Sequence, residues 1–255
     1  MTTSITYTAL PKIPLVEPGD DVCRVIKAGL EQASLVLQDG DIIVIAQKII
    51  SKAENRYVEL SQVVPSVRAR ELAKLIGKDP RHIETVLSES SELLRYRQNV
   101  MIVAHRLGFV MANAGIDESN IGNSDGPDRV LLLPIDPDKS CVDLKRQLDA
   151  EFSVSIGVII NDSFGRPWRN GVVGVALGAA GLPSLESLIG SPDLFGRPMK
   201  VTEVAVADEL AAAASLVMGQ GAEGLPVVHV RGFKSHAPEN NAAALIRPKD
   251  RDMFR

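Results

Sequence analysis

Aromatic side chains are scarce in this sequence, 4% of 255 residues with a single tryptophan, Trp168, and cysteine is scarcer still. Cys23 and Cys141 stand far apart without CxxC spacing, which suggests neither a zinc ribbon nor a disulfide framework and points to a reducing, cytoplasmic setting. Positive charge is not in excess either. The net charge is -4, so nucleic acid, whose binders carry clustered Lys and Arg, is not expected as a partner. No window approaches the roughly 18 apolar residues that a membrane span needs, and the opening MTTSITYTALPKIP lacks the basic start and apolar run of a signal peptide. What remains is an ordinary globular composition, 45% hydrophobic and 24% charged, on a chain long enough to bury a sizeable core in one domain or two.

Apolar residues at Val22, Val25, Ile26, Leu30, Ala33 and Leu37 have helical spacing, so a helix is expected over 22–38, capped by Asp20 or Asp21. Asp39-Gly40-Asp41 turns the chain into an apolar strand, Ile42 to Ala46, that ends at Gln47-Lys48. Helices are expected at 66–77 and 80–94, the second with Asp79 as N-cap and Pro80 in first position. Strands follow at 100–104 and 108–113, a helix at about 139–151, a strand at 154–160, an alanine-rich helix at about 204–218 and a strand from Pro226 to Val230. Neighbouring strands mixed with helices indicate an α+β fold with mixed sheets and packed helices. FGRP occurs at Phe164–Pro167 and at Phe195–Pro198 with unlike flanks, a reused turn and not a duplication. Residues 1–232 are taken as the folded unit, with room for two lobes but no visible boundary, and 233–255 as a polar tail expected to be loosely held.

Four places carry chemistry. In VSIGVIINDSFGRPWRNG, residues 154–171, an apolar strand runs out into Asp162 and Ser163. A carboxylate and a hydroxyl with no histidine or cysteine nearby form the hard-oxygen set of magnesium, manganese or calcium, not zinc; the bland alternative is a capping pair. Arg166 and Arg169 flank Pro167 and Trp168 and would either clamp a phosphate or carboxylate or make surface ion pairs. In ANAGIDESN, Asp117 and Asn120 are three apart and share a ligand if the segment makes a helical turn, or else satisfy an Asx turn.

In MGQGAEGLP, Gly219, Gly221 and Gly224 spell GxGxxG, yet they follow a helix and precede a strand, so a dinucleotide fingerprint is excluded. A nucleotide-contacting loop and a plain helix C-cap both remain open. Lys52 has no Walker sequence before it, the four histidines lack metal spacing, and no serine sits in a GxSxG elbow.

Taken together, LPKIPLVEPGDD, DGDIIVIAQKIISKAENR, NAGIDESN, LLLPIDPD, IINDSFGRPWRNGVVGVALGAAGL and VADELAAAASLVMGQGAEGLPVVHVRG resemble the coenzyme F420:L-glutamate ligase family, in order from about residue 10 to residue 232. The resemblance implies the gamma-glutamyl ligase fold as an intertwined homodimer. It also implies GTP-dependent addition of γ-linked L-glutamate to a deazaflavin precursor through an acyl phosphate. The expected ions are Mg2+ or Mn2+, two per site, with K+ a further candidate.

By position, Asp117 matches the family's first metal-ligand aspartate, Asp162 and Ser163 its Asp-Thr metal pair, and Gln220 the remaining metal position. The nucleotide positions fall on Ile13, Pro14, Leu15, Val16, Gln47, Lys52, Asn120 and the loop Met218, Gly219, Gln220, Gly221, Ala222, Glu223, Gly224, Leu225. Ser163 stands where threonine is usual and keeps the oxygen, and Gln47 where many members carry serine. On this reading Asp162 is catalytic, and Arg166 and Arg169, from their charge alone, orient the anionic partners. The second, flavin-binding domain of some relatives is not expected here. Competing expectations are another acidic acceptor such as a folate-like cofactor, a metal-dependent nucleotide phosphohydrolase, and a nucleotide-binding regulator without turnover.

Overall fold

Strand Ile42–Ala46 and the apolar first half of Gly157–Arg166 pair in parallel and are buried, and strands buried on both faces need a helical layer on each side. In the computed structural model, which describes residues 3–121 and 128–254, they form the middle of a five-stranded sheet. Its order is Thr6–Ala9, Val227–Arg231, Ile42–Ala46, Gly157–Arg166, Arg169–Ala180, antiparallel except for the central pair. Strand alternation divides the core. Ile43, Ile45, Val158 and Ile160 pack with helices Val22–Gln32 and Pro137–Phe152, while Ile42, Val44 and Ile159 pack with helix Val206–Met218. At one edge buried Asp41 accepts bonds from Arg231 at 2.6 and 2.8 Å and lies 2.9 Å from His229, a structural use of that histidine.

Helices Val67–Ile76 and Pro80–Ser88 cover a separate sheet, Ser90–Arg97, Val100–His105 and Val110–Ala112, around a core of Ile76, Ile83, Val86, Met101 and Val103. Tyr57–Glu59 and Arg129–Leu131 pair as a separate two-stranded sheet. The architecture is thus mixed α and β with several sheets, as expected. Among the described residues no helix is long and apolar enough to cross a membrane.

Four local expectations change. The first helix stops at Gln32, because Ser34 takes φ 54°; Leu37 keeps its apolar role by packing on the core after the chain has turned. The helix expected to 94 stops at Ser88, and Leu93 pairs with Val103 in a strand; two adjacent leucines fit either period. The strand expected at 154–160 runs over Gly157–Arg166, so Asp162 and Ser163 lie inside a ladder opposite Val175 and Gly174, not at a strand exit. The hairpin turns at Pro167-Trp168, while the second FGRP is a turn held by Asp193, which accepts from the Phe195 and Arg197 amides. The tail is anchored: Asn240 exchanges two 2.9 Å bonds with the Leu185 backbone, Ala242 is fully buried, and Lys249 pairs with Glu92 at 2.6 Å. Its polar residues serve the fold and not only solvent.

Candidate active site

Topology brings four separated segments to one edge of the central sheet. The parallel strands leave Ala46 beside Asn161. Val227–Arg231 runs antiparallel to Ile42–Ala46 and so begins at that edge, with the Ala46 amide donating to Pro226 O at 2.8 Å; the loop after helix Val206–Met218 must therefore pass there. Thr6–Ala9 ends there, since the Leu10 amide donates to Val227 O at 2.8 Å, and residues 13–16 follow. A cavity of about 750 Å3 opens at this edge. Crevices outside the carboxyl ends of parallel strands are the usual ligand sites of open sheets.

Ile13, Pro14, Leu15, Val16, Gln47, Lys52, Asn120, Asp162, Ser163 and the whole Met218-to-Leu225 loop line the cavity. Asp117 stands just behind, accepting from Gln47 Nε2 at 2.5 Å and paired with Lys48 Nζ at 2.9 Å, while Gln47 is fixed by Ser51 Oγ at 2.8 Å. Asp117 arrives on an extended bridge to Leu131, both backbone bonds 2.9 Å, and Asn120 has φ 56°. The helical turn considered for this pair is therefore not formed. Lys52 Nζ instead donates to Asn120 O at 2.7 Å, and Asn120 Nδ2 to Gly221 O at 3.4 Å. Arg166 and Arg169 are exposed at the hairpin end and do not line the cavity; Arg166 Nη1 donates to Gly171 O at 3.2 Å.

Burial, and next the Asp117 carboxylate, push Asp162 up to about 7 in spite of Lys48. Burial likewise raises Asp117 against the pull of Lys48 and Gln47, and lowers Lys52 against the pull of Glu17. Two crowded carboxylates are an arrangement that a bound cation relieves. The donors Asp117, Asp162, Ser163 and Gln220 are all oxygens, and Ser163 Oγ already donates to Gln220 Oε1 at 2.9 Å. Among the described residues no group of three or more His, Cys, Asp or Glu could hold a metal. Two carboxylates with two neutral oxygens suit instead a hard ion that keeps waters and takes phosphate oxygens from a substrate.

The glycine loop does two jobs. Gly219 caps the helix, its amide donating to Ser215 O at 3.1 Å, and its φ of 76° is a backbone conformation that favours glycine. Glu223 folds back to accept the Gly221 amide at 2.8 Å, so one loop amide already holds a carboxylate.

Sequence reasoning missed Lys48, Tyr57 and Asn161, which line the same cavity. Asn161 donates from Nδ2 to Ser215 Oγ at 2.9 Å and ties the acid-bearing strand to the last helix. An amide at the end of an apolar run was the available signal for it; Lys48 had only its place after a strand.

A family profile described as F420-0:Gamma-glutamyl ligase matches residues 11–232. The chain is 46% identical over 253 residues to the coenzyme F420:L-glutamate ligase of Methanothermobacter thermautotrophicus, covering 98% of this chain and 99% of that protein. It is 45% identical over 244 residues to the protein of the same name from Methanopyrus kandleri, covering 94% and 93%. The corresponding protein of Methanocaldococcus jannaschii is 44% identical over 223 residues, 88% of each chain.

Proposed function

Because the chain belongs to the F420-0:gamma-glutamyl ligase family, we propose that it joins L-glutamate, through a γ-glutamyl amide, to the deazaflavin precursor of coenzyme F420, driven by GTP. The observation that carries this reading is the meeting of Asp162, Ser163, Gln220 and the glycine loop on one cavity wall, with Asp117 held behind by Gln47 and Lys48. A cavity of this size accommodates a nucleoside triphosphate.

A carboxylate and an ammonium do not condense in water near neutral pH, since each is most stable as an ion. In the proposed reaction a carboxylate oxygen of the acceptor attacks the γ-phosphorus of GTP, the bond to the β-bridging oxygen breaks, and GDP leaves. The glutamate amine then attacks the acyl carbon, loses a proton and expels phosphate. Such chemistry asks the protein for positioning and charge compensation more than for a nucleophile. Lys48, Lys52 and the loop amides supply fixed positive potential along the cavity wall, and the Asn161–Ser215 bond keeps the acid-bearing strand in place. Asp117, Asp162, Ser163 and Gln220 would hold one or two divalent ions, Mg2+ or Mn2+ by the hardness of the donors, which when bound would neutralise the phosphates and polarise the transferred group.

A homodimer in a cytoplasmic setting completes the reading. The segment between the hairpin and the last helix exposes Leu194 at 99%, Phe195 at 82% and Val201 at 83%, which suits an interface. Cys23 and Cys141 are free and buried. Arg166 and Arg169, outside the cavity of their own chain, would meet the anionic substrates only across such an interface.

The test is GDP release with precursor, glutamate and GTP present and with each omitted in turn. A ligase needs all three. Release at full rate without acceptor or amine would establish a phosphohydrolase, and turnover only with a folate-like acceptor would reassign the substrate.

A further inference from the structure

A second cavity, about 320 Å3, runs along the strand pair that carries the acid cluster. Phe164, two residues past Asp162, lines it, as does Val175, the register partner of Asp162. Two residues of strand span about 6.6 Å, so this cavity begins beside the Asp162 carboxylate. Neither residue lines the larger cavity.

Its walls differ in chemistry from those of the nucleotide site. The chain has only 6 phenylalanines, and Phe109, Phe164 and Phe254 all border this space. Phe109 and Phe164 meet edge to face with centroids 6.0 Å apart and planes at 86°. Arg247 lies 5.8 Å from the Phe254 ring centroid. Asp208, whose Oδ1 accepts the Ala176 amide at 2.9 Å, puts a carboxylate on the wall. Aromatic edges with two carboxylates, Asp208 and Asp252, and one guanidinium, Arg247, fit a flat heteroaromatic ring that has N–H groups along its edge and an anionic substituent.

Acceptor and nucleotide must be bound together for phosphoryl transfer. A deazaflavin and a guanine are both flat ring systems with amide-like edges, so a shared receptacle would set them in competition. Resting on the ligase reading above, we propose that the smaller cavity receives the deazaflavin ring of the acceptor, and that the arm of the acceptor passes Phe164 to deliver its carboxylate beside Asp162 and Ser163. The C-terminal segment, through Arg247 and Phe254, is then part of the acceptor site.

Two variants test this, Phe254→Ala and Arg247→Ala, both in the C-terminal segment and apart from the nucleotide cavity. Each is assayed for GDP release against precursor and GTP concentration, with the deazaflavin riboside that lacks the phosphodiester arm as a competing probe. Each should raise the KM for precursor about tenfold, the order expected for one lost ring or cation contact. The KM for GTP should stay within about twofold, which general damage to the fold would not allow. In the wild-type enzyme the riboside should compete with precursor and not with GTP, and Phe254→Ala should weaken that competition. Unchanged precursor KM in both variants, or competition of the riboside with GTP, would overturn the proposal while leaving the ligase reading intact. A wild-type enzyme that releases no GDP with precursor and glutamate would remove both.

Discussion

Asp162 occupies a ladder position opposite Val175, where burial and Asp117 raise it to about 7. Its charge therefore opposes folding while serving the site, and the two effects separate in one variant. Asp162→Asn keeps the shape, removes the repulsion with Asp117 and should leave the thermal midpoint unchanged or higher. Precursor-dependent GDP release should fall by roughly 100-fold or more, the scale of a lost electrostatic group at a reacting centre. A drop of less than about fivefold would take Asp162 out of the chemistry. Ser163 gives a finer comparison. Ser163→Thr keeps the oxygen in a strand that favours β-branching and should stay within about threefold of wild type, whereas Ser163→Ala should lose most turnover. Opposite Ser163, Gly174 is required by packing: a Cβ there would lie 2.3 Å from Ser215 Oγ and 2.5 Å from Ala211 O. Gly174→Ala should therefore cost roughly 1–3 kcal/mol in urea unfolding, since a helix backbone would have to move.

At the level of elements, the junction of helix Pro80–Ser88 with strand Ser90–Arg97 is held by Glu89. Burial would raise its carboxyl, but His105, Arg106 and Arg56 outweigh burial and hold it down from 4.5 to about 2. Arg56 Nη2 is 3.0 Å and Arg106 Nε 3.1 Å from Glu89 Oε2. A depressed carboxyl stabilises the fold fully above its ordinary value, and that contribution is lost as pH falls from about 5 toward 2. Discounted for solvent screening of this half-buried group, the contribution is on the order of 1–2 kcal/mol. Wild type should lose stability steeply over that range, and Glu89→Gln should show a flatter acid limb; parallel acid limbs would mean that other carboxyls govern it.

The same scale shows what could be read from sequence. Ile42–Ala46 was legible because burial on both faces leaves an uninterrupted apolar run, and Asp79 with Pro80 marked a helix start. The far half of Gly157–Arg166 was not, because polar residues stay in a strand there only through pairing with Arg169–Ala180, which no local pattern announces. Residue types exposed Asp162, Ser163 and the glycine loop as candidates, and the family resemblance supplied the nucleotide positions. The link from Asp117 to them depends on a bridge to Leu131 and bonds from Gln47 and Lys48, contacts between segments that spacing cannot express.

For the whole molecule, the distribution of exposed apolar surface bears on the proposed homodimer. Between the hairpin and helix Val206–Met218 the chain folds back on itself through the short pairing of Glu186–Ser187 with Glu203–Val204 and a bridge of Pro192 to Pro198, and it leaves Ile189, Leu194, Phe195 and Val201 in solvent. Trp168 at the hairpin turn is 86% exposed. Fully burying one side chain of this size is worth about 1.5–3 kcal/mol, so burying several together in the proposed homodimer would offset the entropic cost of association. Light scattering at micromolar concentration should therefore give twice the chain mass. Replacing Leu194 with Asp and Phe195 with Glu together should give monomers, because each buried charge would lack a partner. The wild-type thermal midpoint should rise with protein concentration and that of the double variant should not, since only a folded assembly couples stability to concentration. If Arg166 and Arg169 serve the substrates across this interface, the double variant loses turnover while still binding GTP. A wild-type chain that is monomeric and fully active at micromolar concentration would refute both the dimer and the role given to the two arginines.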